Sequence, residues 1–440
     1  MRAMDKPQAL IDRGRTFVLR EEFAPAIDAF SEALELDPAR GDAWFERGQC
    51  HLAVGDVEAA IVDFGEAIRL EPINPEYRAA CAAAHIEIDE FDEAIEDFTR
   101  ALELRPGDAE CLNGRGMAKA LGDDPKGALE DFNAAIKAEP AAATLYLNRG
   151  NVYSDLDQVD KAIADYTTAV KHAPFYARAY LYRARMHHDS GRLDEALADY
   201  STALRLDGQD VEGFYHRARL HFDREDYAAA LRDLHCAERL APDWAELLNL
   251  RGVVHARTGD HDAAREDFDT ALLLDPELLS ARFNRGLSWL EEGDTEQALA
   301  DVEAVLEESP QHAAAWALRG MIHYRRGDHA VAIADHLRAL DLDPADANAH
   351  NILAWLLATA PSAELRNGPR ALEHARQACD LTGWEEATYL DTLAAAYAEC
   401  GRFDEAVEWA QKAVAIDADD EDYRERLAMY REKKAYREEE

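Results

Sequence analysis

Residues 41–74 read GDAWFERGQCHLAVGDVEAAIVDFGEAIRLEPIN. Gly55 breaks the stretch and Pro72 stops it. Before Gly55, apolar residues recur at helical spacing; after it, Ala60, Ile61, Phe64, Ala67, Ile68 and Leu70 form the inner stripe of a second helix. A proline ring clashes with the backbone before it, so a helix ends near Pro72. The same stop recurs at Pro38, Pro106, Pro140, Pro174, Pro242, Pro276, Pro310 and Pro344, always in steps of 34 residues, with Gly208 on the one missing beat. A regular train of helix stops predicts a stack of small helix pairs rather than one globular core.

Framed on these prolines, ten units start at residues 7, 41, 75, 109, 143, 177, 211, 245, 279 and 313. Residues 1–346 form this contiguous array. Residues 347–420 hold two further units, starting at 347 and 387, separated by a six-residue insertion with a loop at 360–369. Residues 421–440 read as a capping helix whose last ten residues fray. The eighth position is small throughout, as at Gly14, Gly48, Ala82, Gly116 and Gly150, and the twentieth is alanine in all ten regular units. An aromatic at the twenty-fourth position (Phe30, Phe64, Phe98, Phe132, Tyr166, Tyr200, Phe268) is expected to fill the gap against the neighbouring unit.

These residues resemble the tetratricopeptide repeat (TPR) family, and the likeness covers about residues 7–420. It implies an all-α chain: a right-handed superhelical solenoid of about 12 helix pairs plus a C-terminal capping helix. The first helix of each pair would line a concave groove. The segment around the insertion resembles a terminal module of bacterial members, which implies a bacterial origin.

One departure from the family is systematic. The seventh position is arginine in nine of the first ten units, among them Arg13, Arg47, Arg149 and Arg183, and the twenty-third is aspartate in units two to ten. Units 347 and 387 have Leu353 and Leu393 and lack the aspartate. The two residue types rise and fall together, so an Arg–Asp bridge inside each unit, such as Arg149–Asp165, is expected as a register-fixing contact.

The chain carries 89 acidic against 48 basic residues, a net charge of −41. That field repels nucleic acid and anionic lipid, so neither is expected as a partner. The six cysteines are scattered, with no C-x-x-C pair, and read as reduced thiols in a cytoplasmic protein. Neither a signal peptide at Met1–Lys6 nor a membrane span is recognised.

No catalytic motif appears, and the chain reads as no enzyme with no cofactor. Six of sixteen histidines (His51, His85, His187, His221, His255, His323) share the eleventh position, which makes them packing residues; no metal site is expected. The groove is the place for binding. The resemblance implies that its lining comes from the second, fifth, ninth, twelfth and thirteenth positions of each unit. Residues 171–192 hold Lys171, Arg178, Arg183, Arg185 and Arg192 against Asp189 alone, with Tyr176, Tyr180 and Tyr182 interleaved. Guanidinium forks suit carboxylates, and tyrosines add apolar area with a hydroxyl. The candidate peptide-binding residues are Asn151, Arg178, Arg185, His188, Tyr215, Arg219 and Phe222. Elsewhere the groove is more apolar, with Phe45 and Leu52 near the start and Phe283, Leu287, Leu290, Met321 and Tyr324 in units nine and ten; these form either a second pocket for an apolar anchor or contacts with the next turn of the superhelix. Leucine, phenylalanine or alanine fills most fifth positions and lysine none, which argues against a receptor for chaperone tails. The expected function is a scaffold binding protein partners as extended peptides or helices; the alternative is a regulatory or substrate-recruiting subunit of an enzyme or secretion complex.

Overall fold

The computed structural model describes residues 6–438. Residues 1–5, where a signal peptide was considered, and the last two of the charged tail lie outside them. All regular structure among the described residues is helical. The helices run in pairs: α1 (Lys6–Val18) and α2 (Phe23–Leu36), α3 (Gly41–Ala53) and α4 (Val57–Leu70), α5 (Pro75–Glu87) and α6 (Phe91–Leu104), α7 (Ala109–Leu121) and α8 (Pro125–Ala138), α9 (Ala143–Asp155) and α10 (Val159–His172), α11 (Ala177–Asp189) and α12 (Leu193–Leu206), α13 (Val211–Asp223) and α14 (Tyr227–Leu240), α15 (Ala245–Arg257) and α16 (His261–Leu274), α17 (Leu279–Glu292) and α18 (Thr295–Glu308), α19 (Ala313–Arg325) and α20 (His329–Leu342), α21 (Ala347–Thr359) and α22 (Gly368–Leu381), α23 (Ala387–Glu399) and α24 (Phe403–Ile416), then α25 (Glu421–Arg431).

The chain divides into two compact units, one ending at Leu220 and the other starting at His221. In the first, each helix from α1 to α12 packs on the next; in the second, the same holds from α14 to α25. Neighbouring first helices also touch, as α5–α7, α7–α9 and α9–α11 do, and α15–α17, α17–α19 and α21–α23. Each compact unit is thus a solenoid-like array of helix pairs.

The turn inside every pair except α21–α22 has one residue in the left-handed region. Glycine supplies it at Gly55, Gly191, Gly259, Gly293, Gly327 and Gly401, but Glu21, Asp89, Asp123, Asp157 and Glu225 stand there elsewhere with φ of 55–62°. Aspartates then start several second helices: Asp56, Asp124, Asp260 and Asp294 each accept a hydrogen bond from the amide three residues on.

Packing explains the small eighth position, with one change from the sequence reading. The aromatic ring of the twenty-fourth position lies against the glycine of its own unit rather than only against a neighbour. A Cβ on Gly48 would stand 2.7 Å from Phe64, one on Gly150 2.6 Å from Tyr166, and one on Gly252 2.6 Å from Phe268. Phe98 presses on a glycine of the following unit, Gly114.

The arginines behave as bridges within units. Arg47–Asp63, Arg115–Asp131, Arg149–Asp165, Arg183–Asp199, Arg251–Asp267, Arg285–Asp301 and Arg319–Asp335 are all two-pronged, with Nε and Nη2 donating to the two carboxylate oxygens at 2.6–2.9 Å. The remaining nitrogen Nη1 reaches back to the preceding second helix, to Ser31, Thr99, Asn133 or Thr167. Arg47, Arg115, Arg149 and Arg183 therefore each pin three helices at once. Burial alone would raise the Asp131 carboxyl, yet Arg115 and Lys119 together hold it below the usual carboxylate range.

The third pair breaks the rule. Cys81 takes the arginine position, Gly65 stands where the preceding helix would offer a hydroxyl, and Asp97 is met by Arg78, one turn earlier on α5, through one bond of 2.9 Å.

The last pairs are built differently. Nearly every residue of α21 and α23 is buried, including Leu353, Leu357, Leu390 and Leu393. The loop before α22 is fixed from inside: Arg366 donates to the carbonyls of Ala360 and Pro361 at 2.7 and 2.8 Å, and Asn367 caps α22. The residues read as a fraying end instead fold back where α25 stops. Tyr436 packs on Trp355 with ring centroids 5.7 Å apart, and Arg437 pairs with Glu399.

Candidate functional site

Position along the first helix decides which side chains stay reachable. On α9 and α11 the ninth, twelfth and thirteenth positions bring Asn151, Ser154, Asp155 and Arg185 around a cavity of about 250 Å³, closed by Tyr166, Tyr182 and Met186. The Tyr166 hydroxyl donates to Asn151 Oδ1 at 2.8 Å, so this amide is oriented from below. Burial pushes the Tyr166 phenol up, keeping it a neutral donor. Arg178 and Arg185 lie two turns apart on one face of α11, and both are exposed. Among the described residues neither has a hydrogen-bond or ion-pair partner, in a chain with a large excess of acid.

Beside them is an aromatic layer. The buried Tyr200 ring stacks on His216 (centroids 6.4 Å apart) and meets the His188 ring edge-on at 6.4 Å; Tyr215 stands edge-on to His216 at 5.4 Å. Burial first, then Arg185, Arg219 and His188, lower the His216 pKa to about 4. His216 is therefore neutral at neutral pH, and the positive charge here rests on guanidinium groups. Arg219 lies 3.6 Å from Asp189.

The seven sequence candidates thus separate. Asn151 and Arg185 share one cavity, and Arg178 extends the Arg185 face. Arg219 and Tyr215 border the aromatic layer. His188, expected on the open face, is only 7% exposed, with the Tyr200 ring edge-on to it. Phe222 belongs to the second compact unit, where its ring contacts Tyr227 at 5.7 Å and lies beneath the Arg257 guanidinium.

The apolar alternative has substance at Phe45. With Ala79, Ala83, Ile86, Gly114 and Met117 it lines a hollow of about 640 Å³ across α3, α5 and α7, rimmed by Glu76, Glu87 and Glu110. The sequence pointed to Phe45 but not to the hollow, because the alanines and the glycine make it by being absent as bulk. In the second unit Leu290 is buried, Phe283 stacks on His312 at 5.2 Å, and Tyr324 donates to Glu438.

That last contact is part of a larger one. Residues 434–438, neither helix nor strand, cross the first helices α19, α21 and α23. Trp355 Nε1 donates to Glu438 Oε1 at 2.7 Å, and the Glu438 amide donates to the Thr359 carbonyl at 3.0 Å. Arg437 pairs with Glu399. Tyr324, Trp355, Thr359 and Glu399 occupy the twelfth, ninth, thirteenth and thirteenth positions of their units, the same positions that form the cavity on α9 and α11.

A third cluster was missed. Cys81, His85 and Asp97 bring one thiol, one imidazole nitrogen and one carboxylate oxygen within 4.8 Å of one another. Burial, then the Asp97 charge, pushes the Cys81 thiol up to about 12. The signal was present as Cys81 and His85 four residues apart, one helical turn, on a unit lacking its arginine.

The family profile described as Tetratricopeptide repeat matches residues 11–77, 82–143, 147–211, 215–278 and 283–347, and a second profile of the same description matches 387–416. No curated protein matches the chain. Among solved structures, it is similar to a chain in the crystal structure of the APC/C hetero-tetramer Cut9-Hcn1, at 15% identity over 98% of this chain and 90% of that one, with a TM-score of 0.52. Yeast Tom70 aligns at 17% identity over 97% and 95%, with a TM-score of 0.43. PilF of Pseudomonas aeruginosa aligns at 17% identity over 47% and 95%, with a TM-score of 0.44. At such identities the first of these likenesses speaks to the all-α repeat fold alone. No helix among the described residues is long and apolar enough to cross a membrane.

Proposed function

The chain belongs to the tetratricopeptide repeat family, and on that premise we propose that it is a non-enzymatic scaffold that grips protein partners along its row of first helices. The partner is an extended segment bearing a carboxylate. The observation that carries this reading is the chain's own end. Residues 434–438 lie without regular structure across α19, α21 and α23, with a backbone amide and a glutamate bonded to first-helix groups. A partner segment uses the equivalent ninth positions of α9 and α11, where Asn151 offers an amide and Arg185 an unspent guanidinium fork, with Arg178 two turns away on the same face. Charge-assisted bonds of that kind are roughly twice as strong as neutral ones. A neighbouring apolar side chain of the partner enters the hollow at Phe45. The scattered cysteines support a cytoplasmic location, and the resemblance of the last pairs to bacterial terminal modules supports a bacterial origin.

The test is affinity capture from the source organism's own extract, at low and high salt, with the wild-type chain and with Arg185→Glu/Arg219→Glu. The proposal expects a polypeptide retained by the wild type, weakened by salt and lost on charge reversal. Capture unchanged by the reversal would refute the assignment of this face.

A further inference from the structure

In seven pairs the first-helix arginine holds the aspartate of the second helix with two bonds, and the third pair replaces that arginine with a thiol. There Asp97 keeps one outer partner, Arg78, at 2.9 Å on Oδ1. Cys81, His85 and Asp97 then face one another from α5 and α6, with their ligand atoms within 4.8 Å. We propose that this cluster is a binding site for a borderline divalent metal ion such as Zn²⁺, which supplies the positive charge that the arginine supplies in the other pairs.

The donor set fits that ion. Thiolate sulfur, imidazole nitrogen and carboxylate oxygen are all zinc ligands, and three protein ligands leave a fourth tetrahedral position to water. Bonds of ~2.0–2.3 Å hold tetrahedral ligand atoms roughly 3.3–3.8 Å apart. The three side chains therefore need to close by about 1 Å, which small χ rotations provide. Cys81 and His85 project from the same face of α5 because they are one turn apart.

A second observation points the same way. Glu90 lies 2.7 Å from His85 Nδ1. A carboxylate on Nδ1 fixes the tautomer that leaves Nε2 free as a ligand and raises its basicity, the usual outer partner of a zinc-bound histidine. In the pairs of His51, His221 and His323 the corresponding acid stands farther off, at 3.6 Å (Asp56), 3.9 Å (Asp226) and 3.3 Å (Asp328). Arg78 plays the matching outer role on Asp97. On binding, the Cys81 thiol gives its proton to solvent and the sulfur forms the bond to the metal, with no change of oxidation state.

The experiment uses the full chain without an added histidine tag, reduced, and titrated with Co²⁺ and then Zn²⁺. The expected result is one tightly held Co²⁺ per chain with a near-ultraviolet thiolate-to-cobalt charge-transfer band, displaced by Zn²⁺, and a thermal midpoint raised by Zn²⁺. Cys81→Arg restores the residue of the other pairs beside Asp97, so it should fold; it should lose the band and the Zn²⁺ stabilisation. Glu90→Gln should keep the band and weaken binding by roughly 10–100-fold. The proposal is overturned if the wild type holds no Co²⁺, if its Co²⁺ spectrum lacks the thiolate band, or if Cys81→Arg binds as the wild type does.

Discussion

The pairs α9–α12 and the pairs α21–α24 share one repeat but solve the seventh position in opposite ways. In the middle, Arg149 and Arg183 hold Asp165 and Asp199 with two-pronged bonds, and their first helices keep an exposed face with Arg178 and Arg185 on it. Near the end, Leu353 and Leu393 are fully buried, and residues 434–438 cover the first helices. Where the chain covers the first-helix face of α21 and α23, leucine suffices and the core is continuous, although α19, which the tail also reaches, keeps the Arg319–Asp335 pair. Where that face stays open, the pair is locked by an ion pair that tolerates nearby water. The difference teaches that the open face is a built feature of the middle pairs.

Arg183→Leu attacks the comparison most strongly. It leaves the buried Asp199 carboxylate without its main partner, and urea denaturation should show a loss of about 3–5 kcal/mol. Adding Asp199→Leu makes the middle pair resemble the last ones, and stability should return to near the wild-type value. A double variant no better than the single one would mean that leucine works only under a covered face.

Acid should weaken the end region next. Burial lowers both His336 and His374 to about 4, and it raises Asp391 to about 6. The unfolded chain binds protons on those histidines near their ordinary 6.5 while the folded chain refuses them, so their contribution is complete above about pH 6.5 and lost as pH falls towards 4. Asp391 acts oppositely, gaining stability as pH falls below 6. The net is about one histidine, on the order of 3 kcal/mol lost across that window. Asp391→Asn removes the opposing group, so the loss in thermal melts should become steeper.

His336→Phe sharpens the packing side of the contrast. His336 stands in the slot that holds phenylalanine in other pairs, against Gly320, with both ring nitrogens buried and unbonded. Relieving two unsatisfied polar atoms should add about 1–3 kcal/mol. The smallest change is Glu21→Gly in the first turn, at φ 60°, worth about 1 kcal/mol of gained stability because glycine adopts that conformation without strain.

Much of this was legible in the chain itself. Prolines, alanines and turn glycines mark the helix pairs, and the joint loss of arginine and aspartate in the last two units announces the bridge. The third hydrogen bond of Arg47, Arg115, Arg149 and Arg183 was not legible, because Ser31, Thr99, Asn133 and Thr167 share only a position, not a residue type. Nor was the burial of His188, since the Tyr200 ring that meets it edge-on comes from another helix. The hollow at Phe45 escaped because small residues signal close packing as readily as empty space. The returning tail escaped because Trp355 and Glu438 are 83 residues apart, and nothing local pairs them.

The central claim is that partners lie on the first-helix face of the middle pairs. A photo-crosslinking residue placed at Thr144 on α9, and separately at Lys137 on the second helix α8, tests it directly; both positions are exposed. Illumination in the organism's extract should yield a crosslinked polypeptide from position 144 and none from position 137. Equal yields, or a product from position 137 alone, would contradict the account.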